Sequence, residues 1–349
     1  MRFASCPISF RCINLLFSRL VAGILAGVAA VTAVEAADLD WRAEDAAKLD
    51  GLSDLGLNRE TGQVFAVADG KRYSLSMKDG CYVLSPMPAA GKAKIDADPI
   101  PDGRIAFGAG EIAAAWLSEP TLRYRHGVLG DNVEAEALKV RLRNGRTLTH
   151  TLPDDSVYED LEPRIIDLDG EEAVLVARSY LDSGAAIAVY RIAENKIQPV
   201  GEAYPIGLSH RWLNPVGAAD FDGDGLTEVA AVVTPHLSGI LTMYQLDGDV
   251  FRKDAARSGY STHFIGSTVL AMSVVLDANS DGVPDIVLPS LDRGRLAVVT
   301  FAGGSSSELL SLPQPSRIVT SIVAADLDGN GVSDIIFGRD DGVLLVIHR

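Results

Sequence analysis

The sequence is poor in four things, and each shortage excludes something. It has three cysteines in 349 residues, Cys6, Cys12 and Cys81. The first two fall in an N-terminal stretch that reads as removable, which leaves Cys81. One thiol cannot form an internal disulfide, so a cross-linked secreted scaffold is excluded. Aromatic residues are only 6% of the chain. The apolar share is carried instead by small and β-branched side chains, which suit short, tightly stacked strands. No apolar run reaches the roughly 20 residues that span a bilayer as a helix; the longest uncharged one is Leu20–Val34. Helical periodicity is scarce too. After residue 50 it is absent, and before that it is weak and confined to Arg42–Leu49.

Basic charge is also short. The chain has 31 Lys and Arg against 47 Asp and Glu, a net charge of −16. Residues 1–36 have the layout of a signal peptide. Arg2, Arg11 and Arg19 form a basic start, Leu20–Val34 is the apolar run, and Val34 and Ala36 are small residues at −3 and −1 of a cut before Ala37. Cleavage removes three basic residues and Glu35, leaving 28 basic and 46 acidic side chains, a net of −18. Such a surface repels phosphate backbones, so nucleic acid is not an expected partner. The expected location is outside the cytoplasm, periplasmic or extracellular, with no stable membrane span after cleavage. Loops must there be tied down without disulfides, and divalent cations would also relieve the acidic repulsion.

What is present is a repeat. VGAADFDGDGLTEVAAVVT at 216–234, MSVVLDANSDGVPDIVLPS at 272–290 and IVAADLDGNGVSDIIFGR at 322–339 align over their centres. Each is an apolar run, an acidic glycine-containing loop, then a second apolar run. PRIIDLDGEEAVLVAR at 163–178 has the same frame with a shortened loop. The first loop aspartates, Asp167, Asp220, Asp277 and Asp326, are 53, 57 and 49 residues apart. A period near 50 fits a four-stranded propeller blade and is too long for leucine-rich or hexapeptide solenoids. Within the units, 229–234, 240–246, 250–253, 285–289 and 295–301 read as strands, with a hairpin turn at 246–249. Upstream the repeat fades, but 63–85, 110–117 and 138–151 still read as strands joined by Gly turns, and 86–102 as a loop. Unit starts near residues 55, 110, 165, 217, 274 and 323 predict an all-β fold: one propeller over 37–349 with six four-stranded blades, seven being the alternative. An N-terminal strand is expected to complete the last blade.

The loops carry the chemistry. The first has Asp220, Asp222 and Asp224 on alternate residues, then Gly225, Leu226 and Glu228. The second has Asp277, Asn279, Asp281, Gly282, Val283 and Asp285, and the third Asp326, Asp328, Asn330, Gly331, Val332 and Asp334. Calcium takes six to eight oxygen ligands. Alternate residues of a tight loop can turn several carboxylates inward, a glycine at position six permits the bend, and the carbonyl at position seven (Leu226, Val283 or Val332) adds an oxygen. The acid at position nine closes the cage. Oxygen-only donors argue against zinc or copper. An EF-hand needs a glutamate at position twelve between helices, but position twelve is Ala231, Leu288 or Phe337 and the flanks are strand-like. About three structural Ca2+ sites are expected, and none at the shortened loop.

These loops resemble the FG-GAP / VCBS repeats of the integrin α-subunit propeller and its bacterial relatives. The likeness is good over roughly residues 160–349. It implies calcium in hairpin loops on one face of the ring and, where known, ligand binding on the other. No intact Phe-Gly…Gly-Ala-Pro string is present; Gly217–Ala219 and Phe337–Gly338 are its remnants, so integrin-like binding is not implied. The stretches 124–130 and 212–217 resemble segments of proteobacterial exported FG-GAP-like proteins.

Other residues are weaker candidates. His126, His210, His236 and His263 fall in connecting segments, and Arg211, Trp212, His263 and Arg317 are the candidate grip for an anionic or sugar ligand. Trp116 and Trp212 are expected to pack between modules, and Glu159, Asp160 and Glu162 to form a solvated turn. No nucleophile elbow, zinc-protease, P-loop or dinucleotide fingerprint occurs. The reading is a non-enzymatic ligand-binding or scaffold module with a protein or glycan partner. The alternatives are a propeller lyase or hydrolase acting on polysaccharide, and an envelope assembly partner.

Overall fold

The computed structural model describes residues 3–4, 41–58, 61–88 and 96–348. Apart from Phe3–Ala4, which pairs with Cys81–Pro86, the anticipated targeting segment lies outside the described residues. The protein is all-β. Among the described residues the one helical element is a 3-10 turn, Ala302–Gly304, and no helix is long and apolar enough to cross a membrane.

The strands follow one another as antiparallel meanders. Leu52–Asn58, Gln63–Ala68, Lys71–Lys78 and Cys81–Pro86 form the first. Ala106–Phe107, Ile112–Thr121, Glu134–Leu142 and Thr147–Thr151 form the second. The third is Arg164–Leu168, Glu171–Tyr180, Gly184–Ala193 and Lys196–Ala203, and the fourth Leu213–Ala219, Glu228–Val233, Ile240–Asp247 and Val250–Ser258. The second, third and fourth are linked into one curled thirteen-stranded sheet. The links are Ser156–Tyr158, which pairs with strands of the second and third, and a short parallel contact of Glu202–Ala203 with Val250–Phe251. Val274–Leu276, Asp285–Pro289, Arg295–Thr300 and Ser307–Pro313 make a separate four-stranded sheet.

The last sheet joins the two ends of the chain. Val323–Ala325, Asp334–Gly338 and Val343–His348 are completed by Arg42–Lys48, which pairs antiparallel with Val343–His348. The weak helical periodicity at 42–49 is therefore overridden. A bulge between Asp45 and Ala47 lets a polar segment lie along an apolar edge while only Ala46 is fully buried. Pairing with an otherwise open edge satisfies the backbone groups of both strands, and this outweighs a local preference.

The second strand of most meanders is apolar on both faces. Glu228–Val233, Asp285–Pro289 and Asp334–Gly338 are buried almost throughout, because each is covered by a neighbouring sheet on either side. Strand limits from the pattern hold to within a residue or two in the fourth and fifth meanders, except that Val250–Ser258 runs five residues further than expected.

Ala46 is the sensitive point of the closing contact. Ala46→Lys should lower stability by about 3 kcal/mol or more by burying an unpaired charge. Ala43→Lys, at an exposed position of the same strand, should stay within about 0.5 kcal/mol of wild type. Urea unfolding followed by circular dichroism compares the two.

Candidate metal centre

Each acidic loop joins the first and second strands of its meander, so its ends are held at the spacing of a hairpin. Three loops of different sequence share most of their internal hydrogen bonding, with position one accepting from position six in all three. The position-one carboxylate accepts backbone N–H groups from inside the loop. Asp220 takes Gly223 at 2.7 Å and Gly225 at 2.9 Å. Asp277 takes Asp281 at 3.2 Å and Gly282 at 3.0 Å, and Asp326 takes Gly329 at 2.7 Å and Gly331 at 2.9 Å. Position three caps the N–H of position five: Asp222 onto Asp224, Asn279 onto Asp281 and Asp328 onto Asn330, each at 3.0 Å. Position five caps position seven: Asp224 onto Leu226, Asp281 onto Val283 and Asn330 onto Val332. Position six needs left-handed backbone, and the glycines supply it, with φ of 92° at Gly225, 89° at Gly282 and 87° at Gly331.

Position nine closes the loop from below. Glu228, Asp285 and Asp334 are each buried at the start of the second strand. Each reaches back to accept the N–H of position two, from Phe221, Ala278 and Leu327, at 2.9 Å in all three. One carboxylate oxygen is thereby used. In the first loop the other lies 3.4 Å from the Gln245 amide. In the second, Asp285 Oδ1 is buried with no hydrogen bond of good geometry among the described residues, a costly state for a carboxylate oxygen. The Thr300 hydroxyl is the near side-chain neighbour of Asp285.

The electrostatics are unbalanced. Among the described residues, none of the acidic side chains of the three loops pairs with a cationic side chain. In the first loop, carboxylate oxygens of Asp220, Asp222 and Asp224 lie within 4.8 Å of one another. Burial first, then the neighbouring acids, pushes Glu228 up to about 7 and Asp285 up to about 6. Asp334 is raised for the same reasons. Asp326, held by the Gly331 N–H and its neighbours, is lowered. Oxygen-only donors, converging negative charge and a buried oxygen in want of a partner fit a hard divalent cation. The carbonyl-bearing residues Leu226 and Val332 are exposed and Val283 half-buried.

The shortened loop has become something else. Asp169 and Gly170, both at positive φ, make a two-residue hairpin turn. Asp169 Oδ1 accepts the Thr227 N–H at 3.0 Å, and its own N–H is donated to Thr227 Oγ1 at 3.2 Å. The shortened loop thus clamps position eight of its neighbour.

The four residues proposed as a ligand grip are brought together only in part. The rings of Trp212 and His263 lie 5.0 Å apart, and both are buried. Trp212 Nε1 donates to the Glu159 carbonyl at 2.8 Å, and His263 sits between Ser267 O and the His236 ring. Burial lowers His236 to about 4 and His263 to about 3. Arg211 turns onto the preceding carbonyl of His210. Arg317 is exposed, and its N–H is donated to Asp340. Trp116 is buried, with its indole N–H on Asp98.

The solvated turn at 159–162 is corrected. Glu159 and Asp160 are fully buried. Glu159 holds His126 and Ser179, while Asp160 holds Arg164 and the Ala177 N–H. The signal was available: the acids are flanked by Val157, Tyr158 and Leu161, and Arg164 stands one ion-pair reach downstream. Glu134 was not anticipated either. It is buried beside Glu159, Asp131 and Asp160, and is raised well above the usual carboxylate range by burial and then by those charges.

Residues 277–337 match the model of the FG-GAP-like repeat, a span that contains the second and third loops. No curated protein matches the chain. Among solved structures, the chain is similar to a chain of the Photorhabdus luminescens Tc holotoxin pore, at 12% identity and a TM-score of 0.42. The likeness covers 88% of this chain and 14% of that one.

A raised carboxylate is stabilising while protonated, below its unfolded value near 4, and that contribution is lost as pH rises through its folded value. In metal-free buffer, Asp285→Asn should therefore melt above wild type at pH 8, with the gain vanishing near pH 4. Scanning calorimetry at both pH values reads the difference; a variant that melts lower at pH 8 would contradict the assignment of Asp285 as a buried, uncompensated charge.

Proposed function

We propose that the chain is a calcium-loaded six-bladed β-propeller of the FG-GAP / VCBS kind, exported from the cell, and that it works as a non-enzymatic module holding a protein or glycan ligand. The observation that carries the metal reading is the threefold recurrence of a closely similar loop geometry, ending each time on a buried position-nine acid with no cationic partner among the described residues. Ca2+ would be held by Asp220, Asp222, Asp224, the Leu226 carbonyl and Glu228, and by the corresponding groups of the other two loops. It would bridge carboxylates that otherwise repel, and rigidify hairpins that no disulfide ties.

The ring is supported by how the first strands of successive meanders meet. Ala106–Phe107 lies against Arg164–Leu168, which lies against Leu213–Ala219. Leu213–Ala219 in turn meets Val274–Leu276, and Val274–Leu276 meets Val323–Ala325. Val323–Ala325 then meets Leu52–Asn58, and Arg104 pairs with Asp54 across the remaining junction. Six meanders, the last completed by the N-terminal strand, favour six blades over seven. Export rests on the composition of residues 1–36, and the FG-GAP-like match at 277–337 supports the repeat type.

A cation bound only by the folded state stabilises it by about 2.7 kcal/mol per site at a hundredfold excess over Kd. Titration calorimetry of Ca2+ into chelator-treated protein should find about three equivalents per chain, and chelation should lower the melting temperature by several degrees. No heat of binding and an unchanged melt would remove the calcium reading and leave the β-fold intact.

A further inference from the structure

Enclosed by the first strands of all six meanders lies a cleft that is separate from the three nine-residue acidic loops. It comprises two overlapping cavities of ≈ 870 and ≈ 960 Å3 that share Leu57, Phe65, Arg72 and Val274 among their walls. That size is in the range of small-molecule sites, about 300–1,000 Å3. Its mouth carries two exposed apolar side chains, Leu57 at 36% and Phe107 at 50% exposure.

Three arginines and Lys71 line the cleft, together with the acids Asp54, Glu162 and Asp167, and two of the arginines are neutralised. Arg104 pairs with Asp54 at 3.3 Å. Arg164 holds Asp160 and, at 3.0 Å, Asn214. Arg72 differs. Its guanidinium lies 3.6 Å above the centre of the Phe65 ring, and its Nε is buried with no hydrogen-bond partner among the described residues. No carboxylate pairs with it there. The platform is built for this arrangement: a Cβ on Gly56 would come within 2.3 Å of Phe65 Cζ, so only glycine in the neighbouring strand leaves room for the ring. Stacking on an aromatic face fixes a guanidinium in place without satisfying its donors.

We propose that this cleft is a binding site for an amphipathic monoanion, an apolar chain or ring ending in one carboxylate, with Arg72 as the anion receptor and Leu57, Phe65 and Phe107 covering the apolar body. The buried, unsatisfied edge of the stacked Arg72 guanidinium offers a seat for one carboxylate. A protein of net charge −16 repels polyanions elsewhere on its surface. The apolar walls select against small hydrophilic acids. The inference stands apart from the calcium reading, since no carboxylate of the three nine-residue loops lines the cleft.

The test uses the intact chain, with anilinonaphthalene sulfonate as a fluorescent reporter and octanoate and octan-1-ol as competitors. Octanoate should displace the reporter at one site per chain, and at roughly tenfold or lower concentration than octan-1-ol. Arg72→Gln should erase that preference and leave octan-1-ol unchanged. Phe107→Ser, at an exposed position that folding does not depend on, should weaken both competitors. Equal displacement by acid and alcohol in the wild type, no saturable reporter binding, or indifference of both competitors to Phe107→Ser would each overturn the proposal. The wild-type comparison and Phe107→Ser decide it even if Arg72→Gln fails to fold.

Discussion

Like charges gathered in a small loop must be compensated, and in this protein the compensation within the chain is incomplete. Backbone N–H groups take up the first carboxylate of each loop, and side-chain oxygens at positions three and five cap the turns that follow. The ninth residue is drawn under the loop, where its burial and the neighbouring acids raise Glu228, Asp285 and Asp334 alike. The loops in turn set the geometry of the sheets. Each turns the chain from the first strand of a meander into the buried second strand, and successive loops touch. Thr227 of the first is clamped by Asp169, and Gly223 packs near Val283 of the second.

The meanders were legible because their determinants are local. Alternating acids with glycine at position six allow few backbone conformations, and an apolar run after each loop reads as a covered strand. Hence the loops at 220–228, 277–285 and 326–334 and the strands around them appear where the pattern puts them. The same locality explains the failures. Arg42–Lys48 is a strand because an edge formed by residues 343–348 needs a partner, a fact held 300 residues away in the chain. Glu159 and Asp160 read as solvated because His126 and Ser179, the partners of Glu159, come from segments distant in the chain, although Arg164, four residues after Asp160, was a local signal. The grip residues come together only in part for a related reason. Trp212 and His263 do converge, as the repeat register implied, but they meet each other and the Glu159 carbonyl as packing. Spacing in a repeat can say that two side chains meet; what they leave open to solvent depends on the other segments packed over them.

The ends of the meanders divide the chemistry. The hard, acidic, oxygen-lined end contains the loops, whereas His126, His210, His236, His263, Trp212 and the buried acids Glu159 and Asp160 lie in connecting segments, with Glu134 at the start of its strand. Buried imidazoles lowered toward 3 and 4 are neutral packing groups near pH 7, which suits a rigid frame. The cleft beside Phe65 is a third environment, part apolar and part charged, with Arg72 stacked on the ring and the first strands of all six meanders as its walls.

The central claim is that the three acidic loops are cation cages. Crystals of chelator-treated protein soaked in Tb3+ as a calcium substitute, measured at a wavelength with strong terbium anomalous signal, test it most directly. The account predicts one anomalous peak in each of the loops 220–228, 277–285 and 326–334, within coordination distance of the position-one and position-nine carboxylates, and none at Asp167–Gly170. Peaks elsewhere with empty loops would contradict it.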